Sequence, residues 1–400
     1  MPELSQRAQL MPFSPYRKLT PYADAAKQRG IGVYHLNIGQ PDVETPPAML
    51  AGVQQASIRV LEYSPANGYP SYRRKLASYY QRVGIEVTAD DIIVTMGGSE
   101  SIFFAFMTCL NPGDEVIIPE PFYGPYSAFA LATGTRVVPV TSYLANGFAL
   151  PALADMERAI TPRTRAILIC NPNNPTGYVY SRQELTALLE LCRKHDLYLL
   201  SDEAYREFCY DAPFVSALEL PGAAEYVVLL DTISKRYSAC GARIGAFVTK
   251  NAAVRDAAFR FAQMRVSPPG LGQLLGEAAA GLPDNYFDHV KEEYRARRDL
   301  LLACLRAIPG VECPTPSGAF YIMARLPIDD AETFARWLLE SFSHEGHTVM
   351  ISPAAGFYGT PGLGRQEVRL AYVINQDALR AAMGCLARGL EQYPGHLLAG

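Results

Sequence analysis

The stretch YVVLLDTISKRYSACGARIG, residues 226–245, joins a buried-strand pattern to a turn that contains a lysine. Its first part, Tyr226 to Asp231, is a run of apolar, β-branched and aromatic residues, which is typical of a strand buried on both faces of a sheet. Ser234 and Lys235 follow at once, and Arg243 comes eight residues after the lysine. Cations at the end of a buried strand are costly unless an anion or carbonyl group meets them. The stretch therefore predicts a ligand site at this strand end.

Seven strand-like segments, this one included, alternate with helical patterns. They are DIIVTM (91–96), DEVIIP (114–119), RVVPV (136–140), RAILIC (165–170), LYLLS (197–201), YVVLLDTI (226–233) and IGAFVT (244–249). The segment SRQELTALLELCRKH (181–195) has Ser181 and Glu184 in the spacing of a helix capping box. We expect an α/β fold whose large domain has a mostly parallel seven-stranded sheet sandwiched by helices.

The pattern changes near residue 283 to a long amphipathic helix, followed by short strands in TPSGAFYIMARL (315–326) and EVRLAYVI (367–374) with helices between them. This order is typical of a smaller α+β domain. We expect an N-terminal arm and part of the small domain in residues 1–45, a large ligand-binding domain in residues 46–285, and a small C-terminal domain in residues 286–400.

Composition limits the classes of partner. A net charge of -4 and a pI near 5.9 give no general basic surface for nucleic acid or an anionic membrane. The amino terminus has no signal-peptide pattern, and no apolar run is long enough for a membrane span. Eight scattered cysteines without a C-x-x-C pair are typical of a reduced, cytoplasmic protein, and six dispersed histidines give no reason to expect a metal site.

Four of the predicted strands are followed by segments suited to one anionic ligand. These segments are GGSESIFFAF (97–106), NPNNPTG (171–177), DEAY (202–205) and SKRYSACGAR (234–243). Taken singly, each could be a tight turn or a helix cap. The carboxyl ends of parallel strands meet at one sheet edge, however, and a glycine-rich helix start directs free N–H groups at an anion. A lysine, a buried carboxylate and a phosphate cradle together fit a Schiff base to a phosphorylated pyridoxal.

In order and spacing these motifs resemble those of the class I aminotransferases, pyridoxal 5'-phosphate enzymes of fold type I that include aspartate aminotransferase. The resemblance covers nearly the whole chain. It implies that Lys235 forms the Schiff base and moves the proton, and that Asp202 pairs with the pyridine nitrogen. The other cofactor contacts that it implies are Asn174 and Tyr205 on the phenolic oxygen, with Tyr205 also counted as catalytic, Tyr123 stacked on the ring, and Gly98, Ser99, Ser234 and Arg243 on the phosphate.

The resemblance also implies a shared site and a substrate clamp. Tyr63 corresponds to a tyrosine that reaches the phosphate of the neighbouring subunit, which implies a homodimer. Arg369 corresponds to the arginine that holds the α-carboxylate of the amino acid, while Gly39 and Asn174 assist it. The family pattern further predicts cis bonds before Pro121 and Pro175.

We therefore expect a transaminase acting on an L-amino acid, with aspartate weakly preferred, and on a 2-oxo acid such as 2-oxoglutarate. Aromatic, sulfur-containing and other neutral donors stay open, as does a lyase or oxidase on the same scaffold. A regulatory module fused to a DNA-binding domain is disfavoured, because the chain has no basic helix-turn-helix extension.

The sequence departs from the aspartate-specific patterns at two places. Ser99 stands where one aspartate-specific subgroup of this family has a lysine, and Arg265 matches only loosely the partner-chain arginine of another. Glu100 has no assigned role.

Overall fold

The computed structural model describes residues 2–283 and 285–397. The strands are β1 (Gly32–His35), β2 (Ile92–Thr95), β3 (Glu115–Glu120), β4 (Arg136–Thr141), β5 (Thr164–Cys170), β6 (Tyr198–Asp202), β7 (Val227–Thr232), β8 (Gly245–Val248), β9 (Tyr321–Arg325), β10 (His347–Met350), β11 (Ser352–Pro353) and β12 (Glu367–Ala371). The α-helices are α1 (Gln6–Leu10), α2 (Thr20–Gln28), α3 (Pro47–Gln54), α4 (Pro70–Arg82), α5 (Gly98–Cys109), α6 (Pro125–Thr133), α7 (Leu153–Arg158), α8 (Arg182–Lys194), α9 (Ala252–Arg265), α10 (Gly270–Ala278), α11 (Tyr286–Arg306), α12 (Ala331–Glu340) and α13 (Gln376–Gln392).

The expected seven-stranded, mostly parallel sheet is confirmed. Its strand order is β2-β8-β7-β6-β5-β3-β4, and β8 pairs antiparallel with both of its neighbours. All seven predicted strands belong to it, and no strand end differs from the predicted one by more than one residue. Strand β7 shows why the sheet forms: Val228 and Leu230 join the core on one face, and Val227 and Leu229 join the core on the other.

Helix α8 begins as its sequence predicts. The Ser181 hydroxyl accepts a hydrogen bond from the Glu184 amide, and the Glu184 carboxylate accepts one from the Ser181 amide at 2.7 Å. The two bonds satisfy donors that the first helical turn would otherwise leave free.

A second group of strands lies outside the large sheet. Strands β11, β12 and β9 form an antiparallel sheet, and β1 from the N-terminal part of the chain pairs in parallel with β10. We propose the domain division 1–45, 46–285 and 286–400, because every strand of the large sheet falls in the middle range and every other strand falls outside it. The predicted long helix is α11, and Asp284, where its pattern starts, lies outside the described residues. Among the helices of the described residues, none is long and apolar enough to cross a membrane.

Candidate active site

A cleft lies where strands β5, β6 and β7 end and helix α5 begins. It encloses about 600 Å³, including the open space at its mouth. Nine of the residues predicted for the site line it, and the full lining is Gly98, Ser99, Ile102, Tyr123, Cys170, Asn174, Asp202, Ala204, Tyr205, Thr232, Ser234, Lys235, Cys240 and Arg243. The convergence of strand ends expected from the sequence is therefore present.

Lys235 extends into this cleft from the turn that follows β7. Its Nζ donates a hydrogen bond to the carbonyl oxygen of Gly39 at 2.8 Å. Burial lowers the pKa of Lys235, and the positive charges of Arg369 and Arg243 act in the same direction, whereas Cys240 opposes them. The amine thus loses its proton more readily than a surface lysine, as a nucleophile or base requires.

Asp202 is the last residue of β6 and is 8% exposed. Its carboxylate accepts hydrogen bonds from the Tyr126 hydroxyl at 2.7 Å and from the Ala204 amide at 3.2 Å. Burial raises the pKa of Asp202 to about 6, although both hydrogen bonds act to lower it. The hydrogen bonds from the chain therefore do not offset the cost of burying the ionised carboxylate, and a cationic ligand group would stabilise it.

Asn174 and Tyr205 meet next to Asp202 in the lining. The Asn174 side chain donates to the Tyr205 hydroxyl at 3.2 Å, and that hydroxyl lies 3.0 Å from the hydroxyl of Tyr321. Tyr321 begins β9, in the second group of strands, so residues far apart in sequence complete this wall. Burial raises the pKa of Tyr205 well above its ordinary value, which keeps the phenol protonated as a donor.

The start of helix α5 and the turn around Arg243 form an anion cradle. Gly98 and Ser99 are the first helical residues, and their free N–H groups add to the positive end of the helix dipole. Gly97, with φ of 76°, precedes them, and a Cβ there would overlap the Arg243 guanidinium. Ser234 contributes a hydroxyl 2.8 Å from that of Thr232. These donors fit a phosphate group.

Arg369 is almost fully buried, at 2% exposure. Its Nη1 donates to Asn174 Oδ1 at 3.0 Å, and its Nη2 donates to the Asn37 carbonyl oxygen at 2.5 Å. Aromatic rings from Tyr16, Tyr321 and Phe357 have centroids 4.4 to 4.9 Å from its guanidinium carbon. Arg369 thus lies behind Asn174 and does not itself line the cleft, so its role in holding a substrate carboxylate stays a prediction.

A single chain shows a contact for Gly39 at the site but not the predicted contact of Tyr63. A Cβ at Gly39 would overlap the Tyr321 hydroxyl, so glycine is required for its carbonyl group to reach Lys235. Tyr63 is 83% exposed and does not line the cleft of its own chain. Its predicted contact is with a partner subunit, so its role stays a prediction.

Arg265 and Glu100 contact each other. Arg265 Nη1 lies 3.1 Å from Glu100 Oε2, and Arg265 Nη2 donates to the carbonyl oxygens of Ala66 and Val94. Glu100 also accepts a hydrogen bond from the Met96 amide at 2.8 Å. The contact gives Glu100 a structural role and engages Arg265 within its own chain, so Arg265 is a poor candidate for reading a second substrate carboxylate.

Sequence reasoning missed residues that support the site from behind. Tyr126 could have been found, because in PFYGPY it lies three residues after Tyr123, within reach on the first turn of α6. Tyr321 and Cys240, whose Sγ is 4.0 Å from Lys235 Nζ, carried no signal of their own.

A buried ionic cluster around Asp231 was also missed. Arg236 Nη1 donates to both carboxylate oxygens of Asp231 at 2.7 and 2.9 Å, the Tyr80 hydroxyl donates at 2.7 Å, and Arg206 Nη1 lies 3.5 Å away. Burial alone would raise the pKa of Asp231, but the two arginines outweigh it and the pKa is lowered. Because Arg206 and Arg236 each directly follow a predicted catalytic residue, the cluster joins the two turns that carry them.

Both expected cis bonds are present, before Pro121 and before Pro175. A third, between Asn171 and Pro172, was not predicted.

Comparison with known proteins identifies the family. The family model for aminotransferase class I and II matches residues 31–382. The aspartate/prephenate aminotransferase of Thermus thermophilus is 34% identical over 403 residues, covering 97% of this chain and 98% of that protein, and an aspartate aminotransferase of Bacillus subtilis is 30% identical over 98% of this chain and its own full length. The solved structure of the Thermus thermophilus aspartate aminotransferase with maleate has a TM-score of 0.88 at 32% identity, covering 97% of this chain and 100% of that chain. The chain therefore belongs to the class I and II aminotransferases, is of the aspartate aminotransferase type, and is a transaminase.

Proposed function

We propose that the chain is a pyridoxal-phosphate-dependent aminotransferase that moves an amino group between an L-amino acid and a 2-oxo acid such as 2-oxoglutarate. The observation that carries the proposal is one cleft in which a buried amine, a poorly compensated carboxylate and an anion cradle converge. These three features fit the aldehyde, the ring nitrogen and the phosphate of this cofactor.

When bound, the cofactor supplies a ring that accepts the electron pair released at the Cα of the amino acid. The chain supplies position and charge. Asp202 would hold a proton on the ring nitrogen, because the ionised carboxylate is costly there without a cation. The other proposed contacts are Tyr123 stacked on the ring, Asn174 and Tyr205 on its phenolic oxygen, and Gly98, Ser99, Ser234 and Arg243 on the phosphate.

Lys235 is the proposed base. Its lowered pKa would leave Nζ able to take the proton from the Cα of the donor and to hold it for delivery later in the reaction. Arg369 would hold the α-carboxylate, with Asn174 beside it and the backbone of Gly39 nearby. The amino acid is then fixed with its Cα proton directed at the amine.

Aspartate is weakly preferred as the donor in this proposal, and this preference is supported by relatives named aspartate/prephenate aminotransferase and aspartate aminotransferase. A second candidate is an amino acid with an uncharged side chain. It is favoured by Ser99, where a lysine reads the second carboxylate in a resembling subgroup, and by the Glu100 partner that engages Arg265. Direct comparison of aspartate with methionine, phenylalanine and alanine as donors separates the two.

A homodimer with shared active sites and a cytoplasmic location are also part of the proposal. Tyr63 is exposed beside Val60 and Leu61, which are 70% and 61% exposed, and such an apolar segment fits an interface between two copies. Tyr63 of each copy would then reach the phosphate bound in the active site of the other copy. All eight cysteines are free, which suits a reducing compartment.

The test is a visible absorption titration of the purified, cofactor-supplied protein. An amino acid should abolish the band of the bound cofactor, and 2-oxoglutarate should restore it. Lys235→Ala should lose multiple-turnover activity, while the matched Lys250→Ala, at an exposed position, should keep it. Absence of the band after cofactor is supplied, or multiple turnovers by Lys235→Ala, would refute the proposal.

A further inference from the structure

Tyr16 lies against the residues proposed to bind substrate, although it comes from the N-terminal arm. It sits in the connection between α1 and α2, and its ring centroid is 4.6 Å from the guanidinium carbon of Arg369. The ring is nearly parallel to that of Tyr123, at 10° with centroids 6.2 Å apart. The Tyr16 ring therefore contacts both the proposed carboxylate clamp and the proposed stacking residue.

Two buried donors near this contact have no acceptor among the described residues, although the Gly124 amide lies near the Tyr16 hydroxyl and acts to lower its pKa. They are the hydroxyl of Tyr16, whose oxygen is out of contact with solvent, and the Nε of Arg369. A buried polar group left without a hydrogen bond destabilises the folded protein. Because the Tyr16 ring lies against the Arg369 guanidinium, two donors without acceptors on these two residues indicate a position where a ligand acceptor is expected to bind.

The arm is held in place by the same residue that contacts the clamp. The Asn37 side chain donates to the Tyr16 carbonyl oxygen at 2.8 Å, and the Asn37 carbonyl oxygen accepts from Arg369 at 2.5 Å and from the Ser352 hydroxyl at 3.0 Å. Asn37 is 1% exposed. The position of Tyr16 relative to Arg369 is therefore fixed by a buried hydrogen-bond network.

The protonation state of Tyr16 suits a donor. Burial raises the pKa of Tyr16 well above its ordinary value, and Tyr123 adds to this effect while Arg369 opposes it. The phenol remains protonated at neutral pH. It can therefore donate a hydrogen bond to an anion, and it carries no negative charge of its own to pair with Arg369.

We infer that Tyr16 is a further substrate-binding residue, whose hydroxyl donates a hydrogen bond to the carboxylate held by Arg369. The inference rests on the proposed function, because it takes Arg369 as the clamp for the α-carboxylate. The ligand class is a carboxylic acid, whether an amino acid or a 2-oxo acid, so both halves of the reaction should depend on Tyr16.

Tyr16→Phe removes the hydroxyl and keeps the ring, so the aromatic contacts with Arg369 and Tyr123 remain. The loss of a hydrogen bond to a charged group, about 1.5–3 kcal/mol, corresponds to an increase of about 10- to 100-fold in KM for donor and acceptor acids. We expect kcat to change less than about twofold, because the contact is made equally before and during the reaction. Tyr143→Phe, at a position 61% exposed, is the matched control and should leave both constants unchanged.

A binding measurement separates the outcomes. Calorimetric titration of the cofactor-loaded protein with succinate, which has no amino or oxo group to react, gives a Kd that does not depend on turnover. Tyr16→Phe should weaken succinate binding by the same factor as it raises KM. If the wild type transaminates but Tyr16→Phe matches it in both Kd and KM, this inference is wrong while the proposed function stands. If the wild type does not transaminate at all, the proposed function fails first.

Discussion

Replacing Asp202 by asparagine is expected to make the cofactor-free protein more stable and the enzyme less active. Burial raises the pKa of Asp202 from 3.8 to about 6, so ionising it in the folded state is unfavourable. A difference of about two pKa units corresponds to about 3 kcal/mol. Asparagine has no charge to bury, and its amide can keep both hydrogen bonds, accepting from Ala204 and donating to the Tyr126 oxygen.

The sign of the pH dependence follows from the direction of this shift. Below about pH 4 the carboxyl is protonated in the folded and unfolded states, and it has no electrostatic cost. As the pH rises from about 4 to about 6, the unfolded state releases its proton first, so the wild type loses stability relative to Asp202→Asn. The free energy of unfolding of Asp202→Asn should exceed that of the wild type by about 3 kcal/mol above pH 6 and by about half of that near pH 5.

Urea unfolding of the cofactor-free proteins near pH 7.5 and pH 5 measures this difference as a shift in midpoint at constant slope. Asp231→Asn is the matched control, because Asp231 is also buried, at 1% exposure, but has a lowered pKa and two arginine partners. Removing its charge leaves Arg236 without a counter-ion among the described residues and leaves Arg206 with Glu203 alone, and it should cost about 3–5 kcal/mol. The reasoning fails if Asp202→Asn is less stable than the wild type near pH 7.5, or if both variants shift in the same direction.

Two further predictions concern substrate and lysine positioning. Arg369→Lys keeps the charge but loses the planar pair of donors, so KM for both acids should rise about 10- to 100-fold in steady-state assays; unchanged KM values would remove Arg369 from the carboxylate site. Gly39→Ala introduces a Cβ that overlaps the Tyr321 hydroxyl and displaces the carbonyl group bonded to Lys235, so kcat/KM should fall at least about tenfold. Gly384→Ala, where a Cβ meets nothing within 4 Å, is its control, and equal activity of the two variants would contradict the assigned contact.

The large sheet could be predicted because its signal is local. Each strand is a short apolar run with a turn signal after it. In strand β7, successive apolar residues pack on opposite faces of the sheet. Since parallel strands end at one edge, the residues after β5, β6 and β7 could be brought together without knowing the strand order. For this reason nine predicted residues line one cleft.

The substrate side of the site depends on contacts that have no such local signal. Tyr16, Tyr321 and Arg369 come from an irregular connection and from two strands of the smaller sheet, and they meet only when that sheet packs against the end of the large one. A tyrosine in a proline-containing arm or in a short apolar strand is commonly a packing residue, so its type predicts nothing about a ligand. Only the three-dimensional structure shows that the Tyr16 ring lies against Arg369, and that the Tyr16 hydroxyl and the Arg369 Nε are each buried without an acceptor among the described residues. The proposed cofactor site could therefore be predicted from the strand ends, whereas the proposed substrate site depends on long-range packing, and relatives that share the first can differ in the second.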